Sequence, residues 1–201
     1  MFSSKAHPEA RLIQLLRKRD EAAFNELVLT YEAQVYRLAF RMLGSPEDAR
    51  DLCQEVFVQV FRSIENFRGD SKLSTWLFRI TVNLSKNQNK YLARRQKKNH
   101  SELDEALGFE AQGASGVTSG EMPAPEEQAV GRQIERIVKE ALNSLDEEHR
   151  TLVILRDIEG LSYEEVAEIA ELPIGTLKSR LHRARATLRQ KIEAATGEVI
   201  R

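Results

Sequence analysis

Between residues 108 and 125 the chain reads GFEAQGASGVTSGEMPAP, small and polar, broken by glycine and proline, with no helical or strand period. A stretch of this kind cannot bury enough apolar surface to offset the entropy of ordering, so it reads as a flexible linker. On either side of it, apolar residues recur at three- and four-residue steps, the spacing of amphipathic helices. The sequence is thereby restricted to an all-α architecture of two small helical domains joined by a linker. The expected division is 8–99, a linker over 100–125, and 126–192.

Local signals place the helices. Asp20 is set to cap EAAFNELVLTYEAQVYRLAFRML, whose stripe is Phe24, Leu27, Val28, Tyr31, Val35, Leu38, Ala39 and Met42, and Gly44 supplies the stop. Ser45 and Pro46 open the next helix, about 46–65, striped by Ala49, Leu52, Val56, Val60 and Ile64. A fourth helix begins near Ser71 or Ser74 and ends basic. After the linker a helix spans roughly 127–143. Ser144 and Glu147 fit a capping box opening a helix through Glu159, which Gly160 stops. A second box, Ser162 and Glu165, opens a short helix to about Glu171, and Pro173 suits the start of the last one. LVIL is ambiguous as a strand but sits inside a helical stripe.

Composition excludes several classes of function. A single cysteine, Cys53, permits no intramolecular disulfide and reads as a packing residue in a reducing compartment. The N-terminal stretch lacks a signal-peptide pattern, and no run approaches the roughly 20 apolar residues of a membrane span. A cytoplasmic protein without membrane contact of its own is expected. His7, His100, His149 and His182 are scattered, and no metalloprotease, phosphate-loop or nucleophile-elbow motif occurs. No catalytic residue, metal or cofactor is expected.

The formal net charge is only −1, so contact with a polyanion must be made by a local patch. LPIGTLKSRLHRARATLRQK is such a patch: Lys178, Arg180, Arg183, Arg185, Arg189 and Lys191 with no carboxylate among them. A short capped helix, a tight turn and this basic helix make a helix-turn-helix. Val166, Ala167, Ile169 and Ala170 would pack on Ile174, Leu177, Leu181, Ala184 and Leu188, leaving Lys178, Ser179, His182 and Arg183 free to enter a major groove. Thr176 and the amides around it lie at a helix N-terminus suited to phosphate. The competing reading of the charge run is a solvated basic face; the capped frame favours duplex DNA binding.

The residues also carry a family resemblance. LSYEEVAEIAELPIGTLKSRLHRAR resembles region 4 of bacterial RNA polymerase sigma factors, and GSPEDARDLCQEVFVQVFRSIENFRGDSKLSTWLFRITVNLSKN resembles region 2. With the flexible join they resemble the extracytoplasmic-function (ECF) subgroup, the RpoE-like sigma factors. The resemblance implies a dissociable promoter-specificity subunit whose partners are core RNA polymerase (the β′ clamp helices and the β flap), promoter DNA and, in many relatives, an anti-sigma factor. DLCQEVF matches the clamp-helix segment, which implies contacts from Asp48, Asp51, Gln54 and Glu55 and apolar ones from Phe57 or Val58. The loop, roughly Phe67–Thr75, would take a flipped base of the minus-ten element, with Arg68, Asp70 and Ser71 in it. Asn83, Lys86 and Asn87 would face the strand, and Arg94, Arg95, Lys97 and Lys98 its phosphates. Trp76 is open between base stacking and core packing, the latter favoured by Leu73, Leu77 and Ile80 around it.

In region 4 the resemblance maps the minus-thirty-five readers to Lys178, Ser179, His182 and Arg183, with Thr176, Arg180 and Arg185 nearer the DNA backbone. His182 stands where some relatives carry a bulky aromatic or apolar residue. The linker acids Glu102, Asp104, Glu105, Glu110 and Glu121 suit either a channel built for RNA or simple solubility. The alternatives are a stand-alone helix-turn-helix repressor or activator and, more remotely, a carboxylate-dependent nuclease.

Overall fold

The computed structural model describes residues 8–100 and 125–197, and every regular element among them is helical. The linker acids lie outside the described residues, as do the side chains of Lys97 and Lys98. The chain divides into two compact units between residues 111 and 112.

The first unit contains α1 (Pro8–Arg17), α2 (Glu21–Leu43), α3 (Pro46–Ser63) and α4 (Leu73–His100). Asp20 caps α2 by accepting the Ala23 amide at 2.9 Å. At the other end Gly44 takes a left-handed φ of 77°, which glycine adopts without the Cβ clash other residues meet, and its amide bonds the Phe40 carbonyl. Ser45 then caps α3, accepting from the Asp48 amide, with Pro46 in the first turn. α3 stops at Ser63, and a single 3₁₀ turn, Ile64–Asn66, carries the chain to the loop before α4. Leu27, Val35, Val56, Val60, Ile64, Phe67, Leu73 and Leu77 form one core with Leu12 and Leu16 of α1 laid against it.

α4 starts at Leu73, between the two serines expected to open it, and its cap comes from far along the chain. The Leu73 amide donates to the Glu9 carboxylate of α1. A carboxylate is favoured there because the first-turn amides have no helical acceptor and the helix dipole is positive. Within α4, the buried hydroxyls of Thr81 and Ser85 donate to the carbonyls of Leu77 and Thr81, so neither is left unpaired.

The second unit contains α5 (Pro125–Asn143), α6 (Glu147–Val153), α7 (Tyr163–Ala170) and α8 (Ile174–Thr196). Two expectations are corrected here. Ser144 does not open α6: its hydroxyl donates to the Ala141 carbonyl and finishes α5. Asp146 caps α6 instead, accepting the His149 amide at 2.9 Å, and that bond holds its carboxyl below the ordinary carboxylate value. Nor does α6 run to Glu159 as an α-helix. After Val153 it widens into a π-turn over Ile154–Ile158, where the Glu159 amide reaches back five residues to the Ile154 carbonyl. Thr151 to Leu155 are all buried, so the LVIL run is the central helix of this unit, apolar on every side.

Candidate polymerase and promoter surfaces

The outer face of α3 is polar at its start and apolar at its end. Asp51, Gln54 and Glu55 are exposed, followed on the same face by Val58 and Phe61, each 47% exposed. Asp48 sits at the edge of this face, half-buried, and accepts from the Gln88 amide of α4 at 3.1 Å. Phe57, expected to make an apolar contact, is half-buried. It lies about 100° around the helix from Val58, and its ring packs against the core while keeping part of its surface exposed. Phe61, not singled out from the sequence, is the more exposed ring: it lies 4.7 Å from that of Phe24, under the Arg19 guanidinium at 4.5 Å. Cys53 is buried, its thiol directed to the Glu32 carbonyl. Burial, and then the charge of Glu32, pushes the thiol up to about 11, so it stays protonated and inert at neutral pH.

The second surface is a loop and the helix that follows it. Phe67 is buried with its ring 5.1 Å from that of Trp76, itself 7% exposed. Trp76 is therefore a core residue. Leu73 and Thr75 are buried too, so the exposed loop is Arg68–Lys72, shorter than the Phe67–Thr75 expected. Arg68 and Asp70 are exposed in it, Ser71 is half-buried, and Gly69 turns the chain with a φ of 82°. From there α4 presents Arg79, Asn83, Lys86, Asn87, Lys90 and Arg94 at helical spacing along one face, all exposed or half-buried. Arg79 and Lys90 escaped the sequence reading, although their three- and four-residue spacing from Asn83 and Lys86 points to them. Over its whole length α4 carries no carboxylate.

The third surface is built by α7 and α8. Both bonds of the Ser162–Glu165 capping box form, at 2.9 and 3.1 Å. Glu171 ends α7 in the left-handed region, φ 55°, and Leu172 bonds back to the carbonyl of Ala167, which is buried where the helices meet. Leu177, Leu181 and Ala184 of α8 are buried. Lys178, Ser179, His182 and Arg183 are all exposed, as expected, with Thr176 half-buried at the helix start accepting the Ser179 hydroxyl at 2.8 Å.

Arg180 and Arg185 each carry an ion pair within the unit. Arg180 pairs with Glu148 of α6, and Arg185 places two nitrogens on the Asp157 carboxylate at 3.0 and 2.5 Å. Both guanidiniums are paired within the unit, and both side chains stay partly exposed, at 34% and 45%. Tyr163, unremarked in the sequence, gathers cations: Arg156 lies 4.7 Å and Lys178 5.5 Å from its ring. Hydrogen bonds from Arg185 and then Arg156 lower the ionisation of its phenol below the ordinary value.

Among the described residues, no cluster of His, Cys, Asp and Glu could hold a metal ion, and no helix is long and apolar enough to cross a membrane.

Comparison with known proteins finds matches to both units. Residues 27–99 match Sigma-70 region 2, and residues 135–188 match Sigma-70, region 4. The ECF RNA polymerase sigma-E factor of Haemophilus influenzae is 37% identical over 182 residues, spanning 90% of this chain and 94% of that protein. The sigma-E factor of Escherichia coli K12 is 38% identical over 182 residues, spanning 90% and 93%. Among solved structures, the sigma factor RpoE of Bartonella quintana, crystallised with the anti-sigma factor NepR, superposes with a TM-score of 0.62 at 25% identity, covering 85% of this chain and 96% of its own. CnrH, in complex with the cytosolic domain of CnrY, shares the fold with a TM-score of 0.66 at 21% identity, covering 94% and 99%. Two helical units, an exposed acidic-to-apolar face on α3, an acid-free α4 and a capped helix-turn-helix thus belong to a chain that is a member of the sigma-70 family, an ECF-type RNA polymerase sigma factor.

Proposed function

We propose that this sigma factor divides its work among the three surfaces. The outer face of α3, with Asp51, Gln54, Glu55, Val58 and Phe61 and with Asp48 at its edge, holds the β′ clamp helices of core polymerase. The loop Arg68–Lys72 and the Arg79–Arg94 face of α4 take the non-template strand of the minus-ten element as it opens. Lys178, Ser179, His182 and Arg183 read the minus-thirty-five duplex. Arg180 and Arg185 serve region 4 chiefly by tying α8 to Glu148 and Asp157. On this reading region 2 spans 8–99, the linker 100–125 and region 4 126–192, with region 4 resting on the β flap.

The observation that carries the reading is the charge of α4. A helix with Arg79, Lys86, Lys90 and Arg94 on one face and no carboxylate anywhere attracts a phosphate backbone. Asn83 and Asn87 on the same face each offer a donor and an acceptor to base edges. The factor catalyses nothing itself; the polymerase makes the phosphodiester bonds, in the cytoplasm where core enzyme and promoters are. A relative crystallised with an anti-sigma factor supports control of this chain by a partner of that kind.

Run-off transcription from genomic DNA with purified core polymerase tests the proposal. The expected result is a set of start sites that require the chain and share a two-part upstream motif. Failure to associate with core enzyme at any salt, with tight duplex binding by the chain alone, would favour a stand-alone helix-turn-helix regulator.

A further inference from the structure

Two hydrogen bonds from α1 close on the loop Arg68–Lys72 from opposite ends. Arg17 donates a guanidinium N–H to the carbonyl of Phe67, just before the loop. Glu9 accepts the amide of Leu73, just after it. Both anchored residues are fixed, Phe67 at 3% exposure and Leu73 fully buried. α1 is itself held firmly, because Leu12 and Leu16 enter the same core as Phe67, Leu73 and Trp76. Glu9 lies on the inward side of α1, in step with Leu12, Ile13 and Leu16. α1 lies outside the region 2 match, which begins at residue 27.

We propose that α1 is a clamp that presets the conformation of the loop, with Glu9 and Arg17 as positioning residues for capture of the unpaired minus-ten base. The inference rests on the reading above that this loop takes the base. A flipped base leaves its stack at a cost, which a pocket already in shape offsets best. A loop freed at either end must be ordered as it binds, and the ordering weakens capture. Arg19 provides an internal contrast. It follows α1 and bonds the Phe61 carbonyl and Glu65, anchoring the end of α3 and the 3₁₀ turn without touching the loop boundaries.

The test uses holoenzyme assembled from the full chain and core polymerase. The probe is a fluorescent non-template oligonucleotide carrying the minus-ten segment of a mapped start site, intact or with one abasic position at a time. Wild-type holoenzyme should show one position at which loss of the base weakens binding. Glu9→Ala and Arg17→Ala should reduce that discrimination roughly tenfold, the scale of one lost charge-assisted hydrogen bond. Glu9→Gln, which keeps an acceptor oxygen, should restore most of it. Arg19→Ala should lower thermal stability while leaving the discrimination intact. Should Glu9→Ala and Arg17→Ala weaken intact and abasic strands equally, or follow Arg19→Ala, α1 is only a structural brace and the proposal is overturned. Absence of any base-sensitive position in the wild type would instead overturn the assignment of the loop, and the clamp with it.

Discussion

Arg185 of α8 holds Asp157 through two nitrogens, at 3.0 and 2.5 Å, and so ties the basic helix to the π-turn that follows α6. Both side chains keep contact with solvent, at 45% and 33% exposure, so screening trims the value of the pair. Asp157→Asn should destabilise the second unit by about 1 kcal/mol. Arg185→Lys should do the same, since an ammonium cannot copy the fork. Hydrogen exchange at the α8 amides reads this directly, with faster exchange in both variants. Protection equal to wild type would show that the pair is ornamental.

Arg183, unlike Arg185, lies on the face of α8 that carries Ser179 and His182. Arg183→Ala should cost about 1–3 kcal/mol on the cognate minus-thirty-five duplex if the guanidinium forks onto a guanine. The loss should shrink on a duplex altered at the contacted base pair. An equal loss on every sequence, with a shallower salt dependence, would reassign Arg183 to a phosphate.

These two arginines mark how far the sequence could be read. Caps, stops and stripes are local, and Asp20, Gly44, Ser45 and the Ser162–Glu165 box stand where spacing placed them. The exposed set Lys178, Ser179, His182 and Arg183 follows from the buried stripe opposite it. Local rules failed where two signals competed, as Asp146 displaced Ser144 as the cap of α6. They also failed where the partner lies far off: Glu148 and Asp157 are 32 and 28 residues from the arginines they hold, and Glu9 is 64 from the amide it caps. Phe57 and Phe61 illustrate a third limit. Either phenylalanine could serve the outer face, and only the packing of α3 against its neighbours decides which one turns in.

That decision separates two kinds of variant on α3. Asp51→Arg reverses a charge on the exposed face and should weaken core binding in a pull-down while leaving unfolding within about 0.5 kcal/mol of wild type. Phe57→Ala removes a half-buried ring and should destabilise the first unit by about 2 kcal/mol. Its core affinity should be near normal once the folded fraction is accounted for. Urea unfolding followed by the fluorescence of Trp76, buried in this unit, supplies the stability. Loss of core affinity in Phe57→Ala with stability unchanged would return Phe57 to the binding face.

Cys53 predicts a pH effect of definite sign. Its thiol moves from an ordinary 9.0 to about 11, chiefly because burial disfavours the thiolate and secondarily because Glu32 is close. The folded chain therefore holds the proton more tightly than the unfolded one. The resulting stabilisation is fully present below pH 9.0 and is lost as pH rises through about 11. Tyr31 ionises above its ordinary value as well, through burial and then the charge of Glu9, so alkaline unfolding alone would not isolate the thiol. The comparison that does is wild type against Cys53→Ala, which leaves Tyr31 in place. Wild type should lose stability more steeply across that window, and its thiol should react slowly with iodoacetamide at pH 8 until urea opens the fold. Parallel pH profiles and rapid labelling of the native chain would mean that the thiol is reached by water and reagent, and that the packing assigned to it between α3 and the Glu32 carbonyl is wrong.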